Sequence, residues 1–269
     1  MRRRRVVAAV GAATLLLLAA CSSSPSPSSS PSGGAPLTVL AAASLTKVFP
    51  KIGAAFATQH PGTTFHWSFA GTDTLTSQIE QGAPADVFAG ASTKYGDQLS
   101  GEGLIDAPKP FATNSLVLIV PPANPANITS PKDLTKPGIK LVVGAETVPV
   151  GSYTRTVLAN LNAQFGDGYD QKVLANVVDN EDSVTGVMQK VHLGEADAGF
   201  VYVTDAAGVG DAVKTIQLPV AAQATATYPI AVVKASKQQT LANQFVDFVL
   251  TPPAQQLLAD AQFGPPPSP

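Results

Sequence analysis

Residues 37–56 read LTVLAAASLTKVFPKIGAAF, and this stretch decides the fold class. The run from Leu37 to Ala41 is short and apolar, which is typical of a buried strand. From Leu45 onward the apolar side chains recur at helical spacing, and Ser44 stands just ahead of them as a natural helix N-cap. A strand that leads directly into a helix is half of a β-α-β unit. We therefore expect an α/β fold.

The same alternation continues along the chain. Further strands are predicted near residues 63–69, 86–89, 114–120, 140–143 and 198–203, and further helices near 72–79, 151–163, 184–191, 240–248 and 254–263. Such alternation favours mostly parallel sheets with helices packed on them. The length suits one large domain or two lobes.

The N-terminus has the composition of a secretory signal. Four arginines precede an apolar run at residues 6–20, and Cys21 follows. The run is shorter than the roughly 20 apolar residues that a transmembrane helix needs. Leu18-Ala19-Ala20-Cys21 resembles a bacterial lipobox, which implies that residues 1–20 are removed and that Cys21 carries a lipid. The alternative is an ordinary signal peptide; against it, Cys21 is the only cysteine and has no partner for a disulfide.

Two flanking segments lack the residues that build a core. Residues 21–36 are rich in Ser, Pro and Gly, so we expect a tether there, and residues 265–269 form a Pro-rich tail. The chain has 17 Lys plus Arg against 19 Asp plus Glu, and beyond residue 20 its only arginine is Arg155. No basic patch is present to displace counterions, which excludes nucleic-acid binding. Any anion site must therefore be built mostly without guanidinium groups.

Four predicted strand-to-helix junctions carry small or hydroxyl residues. They are Ala42-Ala43-Ser44, Ala70-Gly71-Thr72, Pro149-Val150-Gly151 and Asp182-Ser183-Val184. Each junction places unpaired backbone N–H groups at the start of a helix, where they and the helix dipole attract anions. In open α/β sheets such junctions converge on one crevice. At any single junction, plain helix capping is the alternative reading.

Seven segments, in order along the whole domain, resemble the molybdate- and tungstate-binding solute-binding proteins of ABC importers. They are LAAASL (40–45), SFAGTDTL with QIEQGAPADVF (68–88), NSLVL (114–118), VPVGSY (148–153), EADAGFVYVTDA (195–206), YPIAVV (228–233) and PAQ (253–255). The resemblance implies a two-lobed periplasmic-binding-protein fold of type II, with two crossover strands joining the lobes. Lobe I would comprise residues 37–117 plus 226–264, and lobe II residues 118–225.

The resemblance also implies how a tetrahedral oxyanion is held. Ser44 and Thr72 would each donate through the hydroxyl and the backbone N–H, Val150 and Val184 through the backbone N–H, and Tyr202 through its hydroxyl. No cofactor or metal cation is expected beside the molybdate or tungstate ligand. The protein would be a monomer, anchored by lipid to the outer face of the cell membrane, that delivers its ligand to an ABC transporter permease.

Three other readings stay open. The same fold could hold another oxyanion such as sulfate or phosphate, or the chain could be an interaction lipoprotein without any small-anion ligand. A serine hydrolase built on Ser44 is disfavoured, because no Gly-x-Ser-x-Gly elbow, phosphate loop or dinucleotide fingerprint is present. The three histidines, His60, His66 and His192, lack the spacing of metal ligands. We therefore do not expect an enzyme.

Overall fold

A computed structural model describes residues 35–267, which form ten strands and nine α-helices. The strands are β1 (Leu37–Ala42), β2 (Phe65–Ala70), β3 (Val87–Ala89), β4 (Lys109–Asn114), β5 (Leu116–Val120), β6 (Leu141–Gly144), β7 (Val177–Glu181), β8 (Ala198–Tyr202), β9 (Lys214–Ile216) and β10 (Ala226–Val232). The helices are α1 (Phe49–Gln59), α2 (Thr72–Glu80), α3 (Thr93–Gly101), α4 (Pro149–Phe165), α5 (Tyr169–Leu174), α6 (Val184–His192), α7 (Val203–Val209), α8 (Gln239–Val249) and α9 (Pro252–Asp260). The predicted signal, Cys21 and most of the tether lie outside the described residues.

The strands form two five-stranded sheets. The first has the order β2-β1-β3-β10-β4, and the second has the order β7-β6-β8-β5-β9. In the first sheet β10 is antiparallel to both of its neighbours, and β5 has that role in the second. The other strands of each sheet run in one direction. The predicted α/β fold, with two mostly parallel sheets and flanking helices, is confirmed.

The chain crosses between the sheets twice. The strand predicted near residues 114–120 is confirmed as β5, which begins at Leu116, and β4 ends two residues earlier at Asn114. The Asn114 side-chain oxygen accepts the Ser115 backbone N–H at 2.9 Å, and that N–H is then not available to a sheet ladder. The chain returns to the first sheet over residues 217–225.

The first sheet is covered by helices on both faces. On one face the aromatic rings of Phe49, Phe56 and Phe245 are fully buried in the main core. On the other face Leu75 of α2 and Leu99 of α3 pack into a second apolar cluster. Because both faces are buried, the carboxyl ends of its strands are left as the place for polar groups. Within residues 35–267 no helix is long and apolar enough to cross a membrane.

The expected N-cap role of Ser44 is wrong. Residues 43–45 form a separate 3-10 turn directly after β1, and Ser44 makes no capping hydrogen bond. Helix α1 begins later, at Phe49, with Pro50 in its first turn. Proline has a fixed φ and no N–H, so it suits a first turn and sets the helix start there. The Ser44 hydroxyl is thereby left for another partner.

Candidate functional site

A small cavity lies between the two sheets, at the carboxyl ends of their strands. It has a volume of about 20 Å³ and is lined by Ala42, Ala43, Ser44, Ala70, Gly71, Thr72, Ala91, Val148, Pro149, Val150, Val184 and Tyr202. Pockets for drug-sized ligands measure several hundred Å³, and a single water needs about 10–15 Å³. The cavity therefore suits a small inorganic ion. It brings together all five residues that the sequence pointed to, and their contact with a ligand stays a prediction.

Two residues with side-chain hydroxyls, Ser44 and Thr72, line the cavity from the first sheet. Ser44, in the turn after β1, lies 2.9 Å from the Tyr228 hydroxyl, and both groups are buried. Thr72 is the first residue of α2 and is 1% exposed. Its hydroxyl oxygen accepts the Ala91 backbone N–H at 3.0 Å. Each hydroxyl is thus held in place from behind by a second group of the protein.

Two backbone N–H groups face the cavity from the second sheet. Val150 is the second residue of α4, and Val184 is the first residue of α6. Neither N–H has a partner inside its own helix, because the first turn of an α-helix leaves its donors unpaired. Ser183 caps α6 by accepting the Gly186 N–H at 3.3 Å, so Val184 stands at a regular helix start. Together with α2, these helices direct the positive ends of three dipoles at the cavity.

Tyr202, at the end of β8, completes the lining. Its side chain is 2% exposed, and its hydroxyl has no hydrogen-bond partner among the described residues. Burial raises the pKa of this hydroxyl well above its ordinary value, so it stays protonated. A buried O–H without a partner costs free energy unless something accepts its proton. The cavity that it lines is the place where such an acceptor would bind.

No charged residue is among the residues that line the cavity. Arg155 donates to the carbonyl oxygens of Gly144 and Gly151, both at 3.0 Å. Asp73 Oδ2 accepts from the Thr147 hydroxyl at 3.3 Å across the cleft, whereas its Oδ1 is buried beside Gly71 and has no hydrogen-bond partner among residues 35–267. The site is therefore a set of neutral donors and apolar surface.

Several contacts join the two sides of the cleft. The Lys47 ammonium donates to the Gly208 carbonyl, and the Tyr95 hydroxyl donates to the Thr147 carbonyl. Gly71 lies against the backbone of Asp182, and a Cβ on Gly71 would overlap that carbonyl oxygen. These contacts flank the cavity, so its size depends on how closely the two halves approach.

A larger cavity of about 440 Å³ shares Ala43 and Ser44 with the small one. Its lining mixes apolar groups with charges of both signs, including Lys47, Lys51 and Asp205. Burial raises the pKa of Asp205 to about 7, against the opposing effect of the Lys47 charge. A wall that carries carboxyl groups is unsuited to a dianion. The small cavity is therefore the better candidate for an anion site.

Within residues 35–267, no cluster of three or more His, Cys, Asp or Glu side chains has the geometry to hold a metal ion. The acidic side chains of Asp179 and Glu181 pair with Lys190.

Three residues near the cavity were not singled out from the sequence. Asn114 and Tyr228 belong to segments that carry the family resemblance, but nothing in the pattern gave either residue a role. Ala91 contributes its backbone N–H, which any residue type would supply. No sequence signal marks such contacts, because they depend on how β3, β4 and β10 are placed beside β1.

Comparison with known proteins connects this geometry to a family. Residues 37–263 match the family described as bacterial extracellular solute-binding protein. The molybdate-binding protein ModA of Mycobacterium tuberculosis is 41% identical over 235 residues, which cover 87% of this chain and 86% of that protein.

Two solved structures share the fold. The periplasmic molybdate-binding protein of Azotobacter vinelandii has a TM-score of 0.74 at 21% identity, over 86% of this chain and 100% of that chain. The sulfate-binding protein SubI of Mycobacterium tuberculosis has a TM-score of 0.75 at 23% identity, over 86% of each chain. At these identities the likeness shows the fold alone, and it does not separate one oxyanion from the other.

Proposed function

The chain belongs to the bacterial extracellular solute-binding proteins and, within them, to the molybdate-binding branch, and on that premise we propose that it captures molybdate for an ABC importer. Proteins of this family bind solutes and are not enzymes, which sets the hydrolase reading aside. One observation carries the proposal: a small cavity lined by neutral donors is also lined by Tyr202, whose buried hydroxyl makes no hydrogen bond to any of residues 35–267.

The lining matches the chemistry of a bare dianion. A tetrahedral oxyanion without protons has acceptors only, and every polar group proposed to touch it, on Ser44, Thr72, Val150, Val184 and Tyr202, can donate. Hydrogen bonds to a charged group contribute about 1.5–3 kcal/mol each, and the donors are preorganised on helix starts. Several such bonds replace the hydration shell of the ion without any cationic side chain.

The same lining disfavours protonated ligands. Hydrogen phosphate brings an O–H of its own, which would meet another donor and leave both unpaired. Sulfate carries the same charge and shape as molybdate, so only the dimensions of the cavity separate the two ions. Tungstate has the chemistry of molybdate, and we propose that it also binds.

Calorimetry of the purified protein with molybdate, tungstate, sulfate and phosphate tests the ligand. We expect molybdate and tungstate to bind tightly and sulfate and phosphate to bind weakly. Tight binding of sulfate together with no binding of molybdate would contradict the proposal. The absence of binding by every oxyanion would favour an interaction lipoprotein instead.

The site residues are tested in the same assay. We expect Ser44→Ala to weaken molybdate binding, whereas Val150→Ala and Val184→Ala leave it nearly unchanged because only their backbone N–H groups are used. If Ser44→Ala kept full affinity, the assigned pocket would be wrong.

Ligand capture requires the two halves to open and close. We propose that the two sheets belong to two lobes that hinge at Ser115 and at residues 217–225. Strand β5 lies wholly in the second sheet, so the proposed boundary falls at Ser115 and not between residues 117 and 118. Small-angle scattering should show a smaller radius of gyration with molybdate, and an unchanged radius would contradict the hinge.

We also propose that Cys21 carries a lipid that holds the protein at the outer face of the membrane, beside the permease. Support comes from the lipobox-like segment and from the absence of a second cysteine. A single acyl chain binds membranes only marginally, so stable retention needs at least two. Cells fed labelled palmitate should label the natural protein and not Cys21→Ser. Equal labelling of both would rule out this anchor.

A further inference from the structure

The side-chain hydroxyls of Ser44 and Thr72 could each act as a hydrogen-bond donor or as an acceptor in the proposed site. A hydroxyl can donate one proton or accept through its oxygen, and its hydrogen rotates to suit its neighbours. An anion site needs both hydroxyls to donate into the cavity. The groups behind each hydroxyl therefore determine whether it can serve that purpose.

At Thr72 the direction of hydrogen-bond donation is set by a backbone N–H group. The Ala91 N–H can only donate, and the Thr72 hydroxyl oxygen accepts it at 3.0 Å. The proton of Thr72 must then point to some other acceptor. Thr72 is almost fully buried and lines the cavity, so a ligand oxygen in the cavity is in place to accept that proton.

At Ser44 the direction of hydrogen-bond donation depends on two side chains, and the first of them is Asn114. Its side-chain oxygen accepts the Ser115 backbone N–H at 2.9 Å, which fixes the orientation of the amide. The amide nitrogen therefore lies on the other side, where it donates to the Thr204 hydroxyl at 2.8 Å and to the Tyr228 hydroxyl at 3.4 Å.

Tyr228 passes the direction on. Its oxygen accepts from the Asn114 amide, and its own proton has the Ser44 oxygen 2.9 Å away as an acceptor. Burial raises the pKa of Tyr228, so the phenol keeps this proton at all ordinary pH values. When the Tyr228 proton occupies the Ser44 oxygen in this way, Ser44, which lines the cavity, has its own proton to donate to a ligand.

We propose that Asn114 and Tyr228 are positioning residues that orient the Ser44 hydroxyl as a donor and so restrict the site to oxyanions without protons. This donor relay runs from the Asn114 amide through the Tyr228 hydroxyl to Ser44 and then to the ligand. The inference rests on the proposed function and names the residues behind its selectivity.

The test is a double-mutant cycle between Tyr228→Phe and Ser44→Ala, read by calorimetry. Tyr228→Phe removes the proton that Ser44 accepts, and we expect molybdate affinity to fall about tenfold, the effect of one hydrogen bond to a charged group. In the Ser44→Ala background the same substitution should change affinity less than about twofold, because no hydroxyl remains to be oriented. Equal losses in both backgrounds would show that Tyr228 acts through general packing and would overturn the relay.

Selectivity provides a readout that packing alone would not move. In Tyr228→Phe the Ser44 hydroxyl is free to rotate and accept from a protonated ligand. The ratio of molybdate affinity to hydrogen phosphate affinity should therefore fall by about tenfold. An unchanged ratio would overturn the proposal. Tyr169→Phe is the matched control, since its buried hydroxyl donates to the Pro131 carbonyl at 2.6 Å, away from the cavity, and it should preserve the ratio.

If Tyr228→Phe fails to fold, Asn114→Asp tests the same relay with an almost unchanged shape. An aspartate oxygen in place of the amide nitrogen would turn the Tyr228 proton away from Ser44. The added charge also weakens anion binding, but that part of the loss persists in the Ser44→Ala background. A loss of equal size in both backgrounds would overturn the relay. Lack of molybdate binding by the unsubstituted protein would instead overturn the proposed function.

Discussion

Replacement of Tyr202 by phenylalanine separates binding from folding. The Tyr202 hydroxyl is buried near the Tyr228 side chain, but it has no hydrogen bond of normal geometry among residues 35–267, so its removal costs the ligand-free protein no such bond. Its removal should leave the thermal stability of the ligand-free protein unchanged or slightly raised. In the liganded protein the same hydroxyl is proposed to donate to an oxyanion, and that bond would be lost.

The expected loss follows from the charge of the acceptor. A hydrogen bond to a charged group is worth about 1.5–3 kcal/mol, which corresponds to a roughly 10- to 150-fold weaker affinity at about 1.4 kcal/mol per factor of ten. Phenylalanine keeps the ring in the core beside Tyr228, so packing is preserved. The change in affinity therefore reports the hydroxyl alone.

The assay pairs calorimetry with thermal unfolding, and Tyr169→Phe is the control. Tyr169 is equally buried, but its hydroxyl has a partner, the Pro131 carbonyl. Its loss should lower stability by about 1 kcal/mol and leave molybdate affinity intact. The reasoning fails if Tyr202→Phe binds molybdate as tightly as the natural protein, or if it destabilises the ligand-free protein as much as the control does.

Three further substitutions probe the cleft, the proposed anion site and the half-buried Asp205. Gly71→Ala should weaken molybdate binding by tenfold or more, because its Cβ would collide with the Asp182 carbonyl across the cleft. Gly101→Ala, which has open space around it, is the control and should have no effect; equal calorimetric affinities of the two variants for molybdate would refute this prediction. Thr72→Val should weaken binding and lower stability by about 1–3 kcal/mol in denaturant titrations, since it leaves a buried N–H without its acceptor, whereas Thr72→Ser should retain both properties. Asp205, whose pKa is raised to about 7 from 3.8, favours the folded state fully below pH 4, and this contribution declines as the pH rises through 7. Asp205→Asn should therefore be more stable than the natural protein at pH 8, by up to roughly 4 kcal/mol, and not at pH 4; parallel stability profiles would contradict the assignment.

Much of the fold was predictable because local patterns and burial agree. The apolar run at 37–41 and the hydroxyl at Thr72 before a helical pattern became β1 and the start of α2. The family resemblance was confirmed by the match over residues 37–263. The exact ends of elements were less predictable, because single side chains set them. Asn114 accepts the next N–H between β4 and β5, and Pro50 places the start of α1 later than the helical pattern predicts.

The sequence by itself determined the fold class, because strand ends and helix starts are encoded by local composition, and its resemblance to a family predicted the family and five residues that line the small cavity. The tertiary structure decided what lies behind them. The roles proposed for Asn114, Tyr228 and the Ala91 N–H depend on atoms brought within about 3 Å across long sequence separations, from 19 residues for Ala91 and Thr72 to 184 for Ser44 and Tyr228. A hydroxyl can rotate, so only the groups packed around it determine whether it donates or accepts a hydrogen bond.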